Sequence, residues 1–147
     1  MKSMLQPEVR EEVRRRLASV AADGRARWGR MDAPHMVAHL ADSMRMSLGD
    51  LAVTPKRLPV RYPPLKQLLL YVLPIPKGVP TATELVSREP ASLDDERRAI
   101  DDLLDRMGRR DPEAPAPAHP AFGPLTVREW GVLGWKHCDH HLRQFGA

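Results

Sequence analysis

A single cysteine, Cys138, occurs in the 147 residues, so no disulfide can close within the chain. That usage suits a reducing compartment. Long apolar runs are also missing. The most apolar stretch, Leu65 to Ile75, contains Lys66, Gln67 and Pro74 and falls well short of the ~20 residues that cross a bilayer. The N-terminal M-K-S-M-L-Q-P-E has no signal-peptide core. A cytoplasmic protein that does not engage a membrane is the expectation. Aromatic residues make up only 5% of the chain, and no nucleic-acid motif is present. The net charge of +4 raises the question of an acidic partner, because residues 1–31 hold eight Lys/Arg against four Asp/Glu. Glu11 and Arg15, like Glu12 and Arg16, stand at i,i+4, the pattern of a solvated helix face. Nucleic acid is therefore not expected as a partner.

What the chain does have is helical periodicity, enough for one domain over residues 1–147. Pro7 suits a first helical position, and Val9, Val13, Leu17 and Val20 form a stripe that predicts a helix to about Ala22, ended by Asp23-Gly24. Trp28 follows as a packed anchor whose indole N–H should be satisfied. Asp32 is a good N-cap for a second helix, with Pro34 in its first turn and Gly49 as its stop. This helix has two semi-apolar faces. Val37, Leu40, Ala41, Met44 and Leu48 line one, while His35, Met36, His39, Ser43 and Met46 line the other, with Asp42 at its edge. Such a helix is central in a bundle or touches a second chain.

Between Asp50 and Pro90, seven prolines cut the chain into short pieces. A short helix over Leu65 to Leu73 fits, and the proline density argues against a strand pair near Thr83 to Ser87. Order returns at Ser92, which with Asp95 resembles a capping box; Ile100, Leu103, Leu104 and Met107 make the buried stripe and Gly108 the end. Asp111 to Pro124 reads as an extended connector, with Phe122 docking on the bundle and His119 a loop residue. Thr126 and Glu129 form a capping box for the last helix. Four substantial helices and little strand signal predict an all-α fold, a four-helix bundle with a long crossover.

The last helix carries the chemistry. Trp130, Leu133, His137, His141 and Gln144 share one face at 100° per residue, and that face should point inward. Two imidazoles at i,i+4 form either a bidentate metal clamp or a pair of hydrogen-bonded interior histidines. A useful metal site needs a third ligand from another helix, for which His35 and His39 are the candidates. Nitrogen-only ligation suits Zn, Ni, Co or Fe and disfavours Mg and Ca. Cys138 lies about 100° around the helix from His137 and reads as a small buried thiol.

Residues 27–43, R-W-G-R-M-D-A-P-H-M-V-A-H-L-A-D-S, and 119–145, H-P-A-F-G-P-L-T-V-R-E-W-G-V-L-G-W-K-H-C-D-H-H-L-R-Q-F, resemble a DinB-like family of unknown function in the DinB/YfiT superfamily. The resemblance covers the second helix and the C-terminal quarter. It implies a DinB-like four-helix bundle, often a homodimer, with a divalent metal held by three histidines. Carried over residue by residue, the ligands fall on His39, His137 and His141. His35 stands where the superfamily usually has no ligand. His140 becomes a flanking residue, and Asp42 and Gln144 are candidates to orient the ligating rings. Some superfamily members transfer low-molecular-weight thiols such as bacillithiol, or isomerise maleylpyruvate with mycothiol. The resemblance therefore implies a metal-dependent thiol S-transferase or hydrolase acting on a small molecule. A metal- or ligand-binding bundle without turnover is the alternative.

Overall fold

The computed structural model describes residues 1–79 and 81–147 and is all-helical, with no strand among the described residues. Its helices are α1 (Pro7–Ala18), α2 (Ala33–Leu48), α3 (Leu65–Gln67), α4 (Leu93–Gly108) and α5 (Val127–Gln144). α3 runs directly into a π-helical turn over Leu68–Val72, and 3₁₀ turns lie at Pro59–Arg61 and Thr83–Leu85. The segment near Thr83 to Ser87, where proline density argues against a strand pair, starts with the helical turn Thr83–Leu85.

Local chemistry explains most of the boundaries. Asp32 caps α2 by accepting the His35 N–H at 2.9 Å, and Gly49 stops it in the left-handed region at φ +88°. Ser92 caps α4 through the Asp95 N–H. Thr126 and Glu129 complete both halves of the box that starts α5. α1 ends at Ala18, four residues short of the expected Ala22. The cause is tertiary, because the Arg97 guanidinium from α4 takes the carbonyls of Leu17 and Val20. Val20 still reaches the core, so the stripe outlives the helix.

α2 packs most extensively on α4, α1 lies against α4 and α5, and α2 meets α5. One core cluster gathers Val9, Val13, Val37, Leu40, Ile100, Leu104, Cys138 and Leu142 from all four long helices. A second, built on Met46, Leu70, Leu85, Trp130 and Leu133, lies beneath the crossover. α2 supplies residues to both clusters, which is why both of its faces are apolar and why it occupies the centre. Arg14 pairs with Asp101 and Asp105 of α4, and Arg16 with Asp139 of α5. Part of the basic N-terminal region is thereby spent on holding helices together.

The crossover is anchored at two points. Leu70 is fully buried, and the Lys136 ammonium from α5 caps the π turn by donating to the carbonyls of Leu69, Leu70 and Leu73. Trp28 corrects an expectation: its indole N–H is buried without a hydrogen-bond partner, as is that of Trp135. An unpaired buried donor costs about 1–3 kcal/mol. Trp130, the third tryptophan, donates to the Pro117 carbonyl at 2.8 Å. No helix is long and apolar enough to cross a membrane among the described residues.

Candidate metal centre

α2 and α5 bring His39, His137 and His141 together, with one nitrogen of each ring within 4.8 Å of the others. His39 and His141 are buried and His137 is half-buried. The i,i+4 spacing stacks His137 and His141 on the inward face of α5, and the inner turn of α2 delivers His39 opposite them. His39 Nε2 stands 3.0 Å from His137 Nε2, and His141 Nε2 stands 3.1 Å from the same atom. The rings meet edge to face with centroids 4.7–4.9 Å apart.

Two of the three tautomers follow from the surroundings. His39 Nδ1 lies 3.0 Å from the Leu85 carbonyl, which can only accept, so this nitrogen carries the proton. His141 Nδ1 lies 2.8 Å from Gln144 Oε1, and the Gln144 amide donates onward to the Trp28 carbonyl at 2.5 Å. That onward bond fixes which end of the amide faces the imidazole, so His141 Nδ1 is also a donor. Both Nε2 lone pairs are therefore directed at His137 Nε2. A proton on His137 Nε2 would satisfy one of them well and leave the other facing a second nitrogen. A cation satisfies all three. Nitrogen ligands about 2.0–2.1 Å from a shared ion stand about 3.0–3.4 Å apart, and the two separations at His137 Nε2 fall in that range. The donor set fits a metal ion.

Burial keeps the rings in the ligand form. It lowers the pKa of His39, pushes His137 well below the ordinary histidine value, and pushes His141 down to about 4. All three are neutral near pH 7, as metal ligation requires.

The remaining sequence candidates find different places. Gln144 touches His141, as described. Asp42 touches none of the rings; its buried carboxylate accepts from Arg45 at 2.6 Å and from Arg88 at 3.0 Å, while its charge acts on His39 through space. His140 lies edge-on to both His141 and Trp28, at 5.1 and 5.6 Å between centroids. His35 is held at the surface by the Asp32 carboxylate. His119 belongs to its loop: Nδ1 accepts the backbone N–H groups of Ala121 and Phe122, and the ring rests against Phe122 and Trp130. Cys138 is buried in the core, and desolvation pushes its thiol up to about 12.

Three contributors were not anticipated from sequence. The Leu85 carbonyl comes from the proline-rich crossover, where no periodicity marks it. Gly29 has φ +80°, and a Cβ there would stand 2.7 Å from Gln144 Nε2, so glycine makes room for the amide that holds His141. Arg88 joins Asp42 to Glu96 of α4. Only the W-G step after Arg27 offered a signal, as a residue suited to an unusual backbone angle.

These features define an all-helical protein with an interior three-histidine cluster that can hold a metal ion. The chain belongs to the DUF1569 family, proteins of unknown function, whose model matches residues 1–147. Comparison with curated proteins and with solved structures returned no match.

Proposed function

We propose that this chain is a DinB-like four-helix bundle, with residues 50–90 as its long crossover, that binds one divalent metal through His39, His137 and His141. We further propose that it acts on a small molecule as a thiol S-transferase or hydrolase. The convergence of three Nε2 atoms, with two Nδ1–H groups committed elsewhere, carries this reading. A zinc, nickel, cobalt or iron ion, when bound, would supply Lewis acidity that lowers the pKa of a thiol or a water. The Leu85 carbonyl and the Gln144 amide hold the rings so that the lone pairs need no reorganisation. Asp42 adds a negative charge near a site whose three ligands are neutral. Cys138 cannot provide the reacting thiol, because it is buried and stays protonated. Thiol transfer would therefore draw on a low-molecular-weight thiol from solution.

A bundle that binds metal without turnover is favoured by one observation. The groups that hydrogen-bond the outer nitrogens of His39 and His141 are a backbone carbonyl and an amide, neither of which takes up a proton near pH 7.

Elemental analysis of protein purified without an affinity tag tests the metal. One ion per chain is expected, lost in His39→Ala and His137→Ala with the helical circular dichroism retained. A full metal complement in His137→Ala would refute the site. Adding a thiol to cobalt-loaded protein then separates the two readings: a change in the visible spectrum supports the transferase, and an unchanged spectrum supports the bundle without turnover.

A further inference from the structure

The crossover turns apolar side chains outward. Among the described residues, ten large hydrophobic side chains are exposed, and eight of them fall between Leu58 and Val79. Val72 is 71% exposed and Tyr62 65%. Leu65, Leu68, Tyr71 and Val72 are exposed on the same helical stretch whose Leu70 is fully buried. The 3₁₀ turn Pro59–Arg61 packs against α3, which continues into the π turn, so these side chains belong to one layer. Tyr71, Val72 and Leu73 also share a groove with Lys77 and Arg143. Apolar residues exposed singly are ordinary, whereas a continuous group marks a contact surface.

The same stretch is basic. Residues 51–83 contain five Lys/Arg and no Asp/Glu. Lys56, Arg57 and Lys77 are exposed and form no ion pair among the described residues. Carboxylates that approach from outside the stretch are already engaged. Glu84, on which the Lys56 charge acts, accepts from the Thr54 N–H and hydroxyl. Glu129 sits in the α5 capping box, 3.8 Å from Lys66. Asp139 pairs with Arg16 and Arg143.

We propose that the crossover rests on an anionic phospholipid surface. Leu65, Leu68, Tyr71 and Val72 enter the headgroup region, while Lys56, Arg57 and Lys77 meet the lipid anions. Three features favour a bilayer over a second copy or another protein. Cations and apolar side chains are interleaved with tyrosine, the mixture suited to a membrane interface. The apolar side chains protrude, and a fluid interface receives protruding groups without a matched pocket. A second copy docked symmetrically through this face would set cations against cations. The sequence expectation of no membrane contact rested on the lack of a spanning or signal segment. That lack bears on crossing a bilayer, not on lying against one.

Co-sedimentation of the full chain with lipid vesicles tests the proposal. Vesicles of equimolar phosphatidylserine and phosphatidylcholine should bind the chain, and phosphatidylcholine alone should bind it far more weakly. The double variant Leu68→Asp, Val72→Asp should lose binding with its helical circular dichroism retained, since both side chains are exposed. Arg57→Gln should weaken binding about fivefold, one cation's worth at such a surface. Arg15→Gln, which removes an exposed charge from α1, should leave binding unchanged. His39→Ala should bind vesicles as the parent does, because the histidine cluster takes no part. Equal binding to both vesicle types, parent-like binding by the double variant, or equal effects of Arg57→Gln and Arg15→Gln would overturn the proposal. Absence of vesicle binding would also overturn it. If light scattering then shows a dimer that the double variant dissolves, the face joins two copies instead.

Discussion

Gln144 is a single amide with two obligations, one to His141 Nδ1 and one to the Trp28 carbonyl. Replacing it by leucine keeps the volume and removes both. Partners of this kind are worth about ten- to a hundredfold in metal affinity, and Gln144→Leu should lose that much in competition with a chromogenic chelator while keeping its helical spectrum. At this scale, helix register carried the sequence reading well. The spacing of His137, His141 and Gln144 along one face is a property of the helix alone and needs no tertiary knowledge. Asp42 shows where that logic stops. Three residues after His39 on the same helix it looked like a ring partner, but a backbone carbonyl from residue 85 occupies that role and two arginines claim the carboxylate. Long-range backbone partners have no residue identity to read.

Elements with regular periods and local caps were legible, because a cap needs only its own first turn. The crossover was legible only in part: the proline-free stretch Leu65 to Leu73 reads as a short helix and forms α3 and the π turn to Val72, but no period in it marks Leu70 as fully buried. The end of α1 was misplaced for a related reason, since an arginine from α4 terminates it. Arg88 plays the same binding role between elements, linking Asp42 of α2 to Glu96 of α4. Both carboxylates are almost wholly buried; Asp42 keeps Arg45, but Arg88→Met would leave the Glu96 carboxylate without a cation at a cost of about 3 kcal/mol, measurable by urea denaturation. The Arg88 hydrogen bonds hold the Glu96 carboxyl below its ordinary range. That contribution is present above the ordinary carboxylate pKa and is lost as pH falls through the lowered value, so Arg88→Met should also flatten the acid limb of the stability curve.

For the whole molecule, the buried neutral histidines set the pH response. His119 and His141 are both pushed down to about 4 by burial, whereas unfolding returns them to about 6.5. Between those values the unfolded chain binds more protons than the folded one, so stability falls as pH drops. Metal-free protein should therefore melt at an unchanged temperature above about pH 6.5 and progressively lower from there to about pH 4, each group contributing on the order of 3 kcal/mol when fully lost. A scanning-calorimetry series in pH checks this; a flat profile through that window would contradict the burial of both rings.

The Leu85 carbonyl that fixes the His39 ring has a mechanical consequence. It makes the crossover and the histidine cluster parts of one interlock, since residue 85 cannot lift away without releasing the ring, and a ring pinned by a fourth party resists that lifting in turn. Occupancy of the centre should consequently be readable as endurance of a distant peptide bond. Trypsin cutting after Lys56, Arg57 or Lys77 should slow when zinc is added to the parent chain and proceed at one rate, with or without zinc, in His137→Ala.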